Sequence, residues 1–150
     1  MPLSKSRRTA GLQPWILADT SAWVEYDRAT GSAVAERMEA LVADDGPLAV
    51  CEPVIMEVCA GARDAQREHE LRRLLLRFRL LRLQPASDFD AAVSIYRSCR
   101  SRGITPRGLL DCLIAAIAWR NDAALLACDR DLIAIAEVMS VPLDVASTTA

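Results

Sequence analysis

Residues 15–23, WILADTSAW, combine a short apolar run with an acidic residue at its end. An apolar run that stops at a charged residue is typical of a buried strand in a parallel sheet. We predict this strand over residues 15–18, so that Asp19 follows its carboxyl end. Functional side chains collect at this edge in open α/β sheets. Because aspartate is also a good helix cap, the competing interpretation is that Asp19 only starts a helix.

The rest of the chain alternates short strand-like runs with longer segments of helical period. This alternation predicts βαβ units around a short, mainly parallel central sheet, in an α/β fold. Further strands are predicted at residues 48–51, 80–83, 124–127 and 142–145. Helices are predicted from Gly31 to near Gly46, from Pro53 to Gly61, over residues 71–78, from a capping box at residues 87–90 to Gly103, over residues 109–121, and after Asp131.

Length and composition fit a single globular domain. The chain has 150 residues, of which 52% are hydrophobic and 25% charged, which is enough for a substantial core. We predict one domain over residues 15–150 and a flexible extension over residues 1–14, which lacks the apolar region of a signal peptide. The longest apolar region, residues 109–119, is too short to span a membrane. We therefore expect a soluble, cytoplasmic protein.

Cysteine, histidine and lysine usage excludes several kinds of site. The five cysteines are an odd number without a C-x-x-C pair, and there is one histidine. We therefore expect buried thiols in a reducing compartment and no zinc site. Lys5 is the only lysine. A P-loop and the haloacid-dehalogenase phosphatases each need a lysine in the site, so these classes are excluded.

Glu57 and Asp111 are acidic residues inside apolar helical segments. Glu57 lies in PVIMEVCAG at residues 53–61, with no opposite charge one helical turn away, and Asp111 interrupts LLDCLIAAIA at residues 109–118. An ionised carboxylate that is buried without a partner costs several kcal/mol, so these positions need compensation. The competing interpretations are a solvated surface position for Glu57 and a helix cap for Asp111.

Asp129 is the fourth acid in an unusual position. It comes directly after the predicted strand at residues 124–127 and Cys128. The carboxyl ends of parallel strands meet at one edge of the sheet, so Asp129 is expected beside Asp19. Asp131, two residues later, is either a helix cap or an alternative to Asp129 as the fourth ligand. We rank Asp129 first for that role.

The four acids are expected to converge at one end of the sheet. Like charges a few ångströms apart repel and raise one another's pKa. A hard divalent cation with oxygen ligands removes this repulsion. Mg²⁺ or Mn²⁺ fits best because both keep several waters while bound by a few carboxylates. The sequence therefore predicts a metal site formed by Asp19, Glu57, Asp111 and Asp129.

With these residues in this order, the chain resembles a PIN domain, specifically the VapC type of bacterial toxin. The resemblance rests on LADTSAW at residues 17–23, PVIMEV at residues 53–58, DCLIAA at residues 111–116 and CDRDL at residues 128–132. It implies a three-layer α/β/α fold, a Mg²⁺- or Mn²⁺-dependent endoribonuclease that hydrolyses RNA, a homodimer, and a cognate antitoxin that blocks the site.

The resemblance also implies residue roles. Asp19, Glu57, Asp111 and Asp129 match the catalytic, metal-binding acids of the family. The hydroxyl after the first acid often helps to hold metal or phosphate, which nominates Thr20 or Ser21. Leu132 departs from the family, where an aromatic residue is common, and we expect this to affect packing only. The amino-terminal extension has no counterpart in the family pattern.

Charge alone does not identify the surface that binds RNA, and two alternative functions also fit the sequence. The net charge is −2, but a cation that neutralises the four acids makes the remaining field favourable to RNA. The densest basic stretch either contacts phosphates or forms a solvated helix face paired with Glu68 and Glu70; it consists of Arg72, Arg73, Arg77, Arg79 and Arg82. The alternatives are a metal-dependent DNase or phosphodiesterase with the same carboxylates, and a non-catalytic interaction module.

Overall fold

A four-stranded parallel sheet lies at the centre of the computed structural model, which describes residues 14–148. The strands lie in the order β3-β2-β1-β4, and every pairing is parallel. Their bounds are β1 (Ile16–Ala18), β2 (Leu48–Val50), β3 (Arg79–Leu80) and β4 (Ala124–Leu126). Leu17 of the central strand β1 aligns with Ala49 on one side and Leu125 on the other. The carboxyl ends of β1 and β4 therefore lie side by side.

Helices cover both faces of this sheet. Their bounds are α1 (Thr20–Asp27), α2 (Ala33–Ala43), α3 (Glu52–Ala60), α4 (Ala65–Leu75), α5 (Pro85–Ser101), α6 (Leu109–Arg120) and α7 (Arg130–Met139). Every residue of β1 and β2 is buried, which requires cover on both faces. Helix α1 contacts α2 and α3, while α5, α6 and α7 contact one another. The predicted three-layer α/β/α fold is confirmed.

Helix α6 is the most deeply buried helix of the described part. All residues from 112 to 118 are buried, and a helix that is apolar all round belongs inside a core. Asp111 is in its first turn, so the packing of α6 holds this acid in place. Leu132 of α7 is also fully buried, which agrees with a packing role at that position.

The predicted capping box at residues 87–90 is wrong. Helix α5 begins at Pro85, with Gln84 as its N-cap. Proline favours the first helical position because its φ is already helical and its missing N–H is not needed there. The Asp88 carboxylate accepts a hydrogen bond from the Gln84 N–H at 2.8 Å, so the residue that reaches back to the cap is Asp88.

Other predicted boundaries also need correction. The third strand covers Arg79–Leu80 rather than residues 80–83, and the helix predicted to residue 78 ends at Leu75. The strand predicted at residues 142–145 is a single bridge between Leu143 and Leu125. Asp144 explains this last difference, because it accepts hydrogen bonds from the Arg37 guanidinium and the Ala146 N–H, which turn the chain. Helix α1 corresponds to the competing interpretation of Asp19, in which this residue starts a helix.

Three predictions concern features outside the sheet. The extension predicted for residues 1–14 lies, apart from Pro14, outside the described residues and stays a prediction. Between residues 14 and 148, no helix is long and apolar enough to cross a membrane. Four of the five cysteines are buried, as predicted: Cys51, Cys59, Cys99 and Cys112.

Candidate active site

A cavity of about 350 Å³ at the carboxyl edge of the sheet brings the four candidate acids together. Asp19 follows β1, Glu57 is on α3, Asp111 is in the first turn of α6, and Asp129 precedes α7. All four line the cavity, with Thr20 and Ser21. Four separate segments therefore place carboxylates around one cavity, while the roles of these residues stay predictions.

Asp19 is held in place by Ser21. The Asp19 side chain is the N-cap of α1, and its Oδ2 accepts hydrogen bonds from the Ser21 N–H at 3.1 Å and the Ser21 hydroxyl at 2.7 Å. The same hydroxyl accepts a bond from the Cys128 N–H at 2.9 Å. Ser21 thus links the ends of β1 and β4. Asp19 is both a helix cap and a cavity residue, so the two interpretations of its position are compatible.

Glu57 is held in place by the hydroxyl of Thr20, the residue before Ser21. The Thr20 hydroxyl donates a hydrogen bond to Glu57 Oε1 at 2.8 Å, which connects the start of α1 to α3. Glu57 therefore faces the cavity rather than solvent alone. Thr20 and Ser21 are adjacent but hydrogen-bond different acids, and both nominated hydroxyl residues line the cavity.

The cavity holds negative charge that the protein itself neutralises only in part. Burial, followed by the charges of Asp19, Asp129 and Glu57, raises the pKa of Asp111 from 3.8 to about 7. Burial also raises the pKa of Asp19, although the hydrogen bonds from Ser21 act in the opposite direction. A cation in the cavity would remove this penalty.

Three helix N-termini compensate part of this charge. Asp19 and Asp129 are the N-caps of α1 and α7, and Asp111 is in the first turn of α6. Each helix dipole stabilises a carboxylate at its N-terminus by about 0.3–1 kcal/mol. The pKa of Asp111 is nevertheless raised, mainly by burial, so the dipole of α6 offsets only part of that cost.

The structure gives Asp131 a different position from Asp129. Asp131 does not line the cavity; its Oδ2 accepts hydrogen bonds from the Arg107 Nε at 2.7 Å and the Arg107 N–H at 3.1 Å. These bonds hold the pKa of Asp131 below its ordinary value. Arg107 Nη2 also lies 3.4 Å from Asp129 Oδ2. Asp131 therefore anchors the loop before α6.

Two residues of this region were missed by the sequence analysis. Glu25 is a fifth carboxylate in the cavity, and its Oε1 lies 3.8 Å from the Cys128 Sγ. Glu25 is four residues after Ser21, which places both residues on the same face of a helix. A prediction of helix α1 over these residues would therefore have identified Glu25. Arg107 lies in a loop, where no periodicity signals its contact with Asp129 and Asp131.

The donor set fits a hard divalent cation. The acidic side chains of the cavity offer only oxygen, which Mg²⁺ and Mn²⁺ prefer, and the pKa of Asp111 is raised first by burial and then by the charges of Asp19, Asp129 and Glu57. In the described part of the chain, no group of three or more His, Cys, Asp or Glu side chains is arranged to hold an ion by itself. Mg²⁺ is usually bound through one or two carboxylates, with water as the remaining ligands, so a Mg²⁺ site does not require three of these side chains to meet.

We expect metal-free Asp111→Asn protein to be more stable than wild type at pH 8, by a few kcal/mol. Because the folded-state pKa of Asp111 is about 7, the folded protein binds an extra proton between about pH 4 and pH 7. Wild-type stability is thus lost as pH rises through this window, and asparagine removes the loss. Urea unfolding in EDTA at several pH values measures the difference, with exposed Asp90→Asn as control. Parallel wild-type and Asp111→Asn profiles from pH 4 to pH 8 would contradict this expectation.

Comparison with known proteins agrees with this fold. The PIN domain family matches residues 16–138. VapC ribonuclease Mb1587 of Mycobacterium bovis and ribonuclease VapC11 of Mycobacterium tuberculosis are 43% identical over 127 residues, which cover 84% of this chain and 95% of each relative.

Solved structures show the same fold at low identity. VapBC2 from Rickettsia felis, bound to a DNA fragment from its promoter, has a TM-score of 0.67 at 15% identity, covering 86% of this chain and 96% of its own. A toxin–antitoxin complex from Klebsiella pneumoniae has a TM-score of 0.59 at 21% identity, covering 77% and 88%. The fold, the family match and the identity to the mycobacterial relatives agree, and the chain belongs to the PIN-domain family, in its VapC group.

Proposed function

We propose that this protein is a divalent-cation-dependent endoribonuclease that acts as the toxin of a toxin–antitoxin pair. The observation that carries the proposal is the convergence of four carboxylates from four separate segments on one cavity. RNA as the substrate is supported by the names of the two mycobacterial relatives, which are ribonucleases.

Asp19, Glu57, Asp111 and Asp129 would hold Mg²⁺ or Mn²⁺ in this cavity. When bound, such an ion lowers the pKa of water toward about 7 and neutralises charge that develops on the phosphodiester. The chain's own contribution is orientation: Ser21 holds Asp19 through two hydrogen bonds, and Thr20 holds Glu57 through one.

The helices around the cavity favour the substrate's phosphate. The N-termini of α1, α6 and α7 lie at the cavity, and the dipoles of helix N-termini attract anions. The buried packing of α6 keeps Asp111 at a fixed position against the sheet. A phosphodiester is therefore drawn to the acids only after a cation has neutralised them.

The substrate class is tested by incubating wild-type protein and Mn²⁺ with RNA and, in parallel, with single-stranded DNA of the same sequence. We expect cleavage of RNA with loss of activity in EDTA, and intact DNA. Cleavage of both would favour the general phosphodiesterase, and cleavage of neither by a Mn²⁺-loaded preparation would favour the non-catalytic interaction module.

The proposed partners are a cognate antitoxin and a second copy of the chain, and the proposed location is the cytoplasm. The Klebsiella pneumoniae neighbour, a toxin–antitoxin complex, supports the antitoxin. Co-expression with a candidate antitoxin, followed by purification and an RNA cleavage assay, tests it. We expect a complex without ribonuclease activity, and light scattering of the free toxin reports whether it is a dimer.

We expect Asp129→Asn to weaken Mn²⁺ binding by about tenfold or more, and Asp131→Asn to change it by less than about threefold. Asp129 lines the cavity, while Asp131 binds Arg107 outside it. Asparagine keeps an oxygen for the N-cap of α7 in the first variant. Calorimetric titration with Mn²⁺ compares the two. A larger loss in Asp131→Asn would make Asp131 the fourth ligand.

A further inference from the structure

A second cavity, of about 890 Å³, lies beside the candidate active site and has the opposite charge. Its walls come from α5, from the loop before α6 and from the start of α6. We call it the arginine groove, and its main lining residues are Val93, Tyr96, Arg97, Arg100, Arg107 and Leu109. No acidic residue of the described chain lines it, whereas carboxylates line the adjacent active-site cavity.

The groove is formed by one face of α5. Val93, Tyr96, Arg97 and Arg100 are spaced by three or four residues, which aligns them on one side of a helix. Arg97 and Arg100 are exposed, and neither forms a salt bridge with any residue between 14 and 148. Their charges are therefore available to a polyanion.

Arg107 connects the groove to the acids. Its side chain lines the groove, and its guanidinium lies 3.4 Å from Asp129 of the active-site cavity. Leu109, at the end of the groove, is two residues before Asp111 on α6. A chain of phosphates that follows the arginines would therefore arrive at the carboxylates.

The basic stretch singled out in the sequence is less suited to this role. Arg72 is paired with Glu68, and the Arg77 and Arg79 guanidinium groups lie 5.5 and 5.8 Å from the ring centroids of Phe78 and Trp15. No arginine from residues 72 to 82 lines the active-site cavity or the arginine groove. The structure thus favours a different surface for phosphates.

We propose that the arginine groove binds single-stranded RNA and leads it to the carboxylates; this inference rests on the proposed ribonuclease function. Arginines spaced along a groove contact successive phosphates, and aromatic rings and guanidinium planes stack with unpaired bases. Val93, Tyr96 and Leu109 supply the apolar surface for bases. A duplex offers phosphates and 2′-hydroxyls but no free base faces, so the groove selects unpaired strands.

Binding of a fluorescent pool of random-sequence, single-stranded RNA tests this proposal. The full-length chain carries Asp19→Asn so that the RNA stays intact, and anisotropy is measured with Mg²⁺ at several salt concentrations. We expect Arg97→Gln/Arg100→Gln to weaken binding by about tenfold or more and to reduce the slope of log affinity against log salt by about 1.4. The charge-retaining Arg97→Lys/Arg100→Lys variant is expected to keep the slope.

The matched control is Arg73→Gln/Arg77→Gln, which removes the same charge from the other basic surface and is expected to bind RNA as the parent does. Three results would each overturn the proposal. The first is an equal loss of affinity in both glutamine variants, and the second is tighter binding of a duplex of the same pool. The third is an Arg97→Gln/Arg100→Gln protein that changes its subunit number but not its RNA affinity. If wild-type protein cleaves RNA in any of these cases, the proposed function stands and only the groove is wrong. If wild type neither cleaves nor binds RNA, both are wrong.

Discussion

Asp19→Asn is expected to lower the rate of RNA cleavage by about three orders of magnitude, which corresponds to about 4 kcal/mol of transition-state stabilisation. Asp19 is 4% exposed and borders the cavity between β1 and α1. Asparagine removes the charge but keeps an oxygen that accepts the bonds from Ser21, and it is as good an N-cap as aspartate. The fold should therefore survive while the site loses a ligand. Single-turnover cleavage of labelled RNA with Mn²⁺ measures the effect.

Asp64→Asn is the matched control for this variant. Asp64 is the N-cap of α4, and its Oδ1 accepts a hydrogen bond from the Arg67 N–H at 2.8 Å. The same substitution at a second N-cap, outside the cavity, should leave cleavage unchanged. An Asp19→Asn protein that melts like wild type and cleaves RNA at the wild-type rate would remove Asp19 from the chemistry.

The second large effect concerns stability and a buried ion pair. Arg120 Nε and Nη2 each lie 2.8 Å from a carboxylate oxygen of Asp88, and the Arg120 Nη2 also donates to the Arg82 carbonyl at 2.7 Å. The two side chains are only 10% and 2% exposed. Arg120→Ala leaves the Asp88 charge buried without its partner, which costs about 3–5 kcal/mol. Urea unfolding, analysed for midpoint and slope, measures the loss.

Two further variants test this interpretation. Asp88→Leu/Arg120→Met replaces both charges by apolar groups and should recover most of the lost stability, because a buried pair barely repays its desolvation. Glu68→Ala breaks an ion pair with Arg72 in which the Glu68 side chain is 38% exposed and the Arg72 side chain 48% exposed. This variant should lower the free energy of unfolding by less than about 1 kcal/mol. A similar loss in Arg120→Ala and Glu68→Ala would mean that burial does not matter for the Arg120 pair.

The sequence predicts well those site residues that interrupt a periodic apolar pattern. Asp19 ends an apolar run of strand length, and Asp111 interrupts an apolar helix, so each residue is conspicuous in its own segment. Parallel pairing of β1 with β4 then brings Asp19 and Asp129 together. Local patterns therefore predict the parallel sheet and the four cavity acids, while the three-layer arrangement was implied by the resemblance to PIN domains.

The part that sequence misses depends on contacts between distant segments. The Asp88–Arg120 pair joins α5 to α6 across 32 positions, and no local pattern distinguishes Asp88 from a solvated acid. Arg107 reaches Asp131 from a loop. The strand predicted at residues 142–145 fails for the same reason, since Arg37 holds Asp144 in a turn. Each of these features requires tertiary structure.

Calorimetric titration of Mn²⁺ into wild-type protein and into Asp19→Asn/Asp111→Asn protein tests most directly whether these carboxylates bind a divalent cation. We predict saturable binding and a raised melting temperature for wild type, and neither for the double variant, which should still fold. A wild-type preparation that cleaves RNA but binds no Mn²⁺, or a double variant that binds Mn²⁺ as tightly as wild type, would contradict the account.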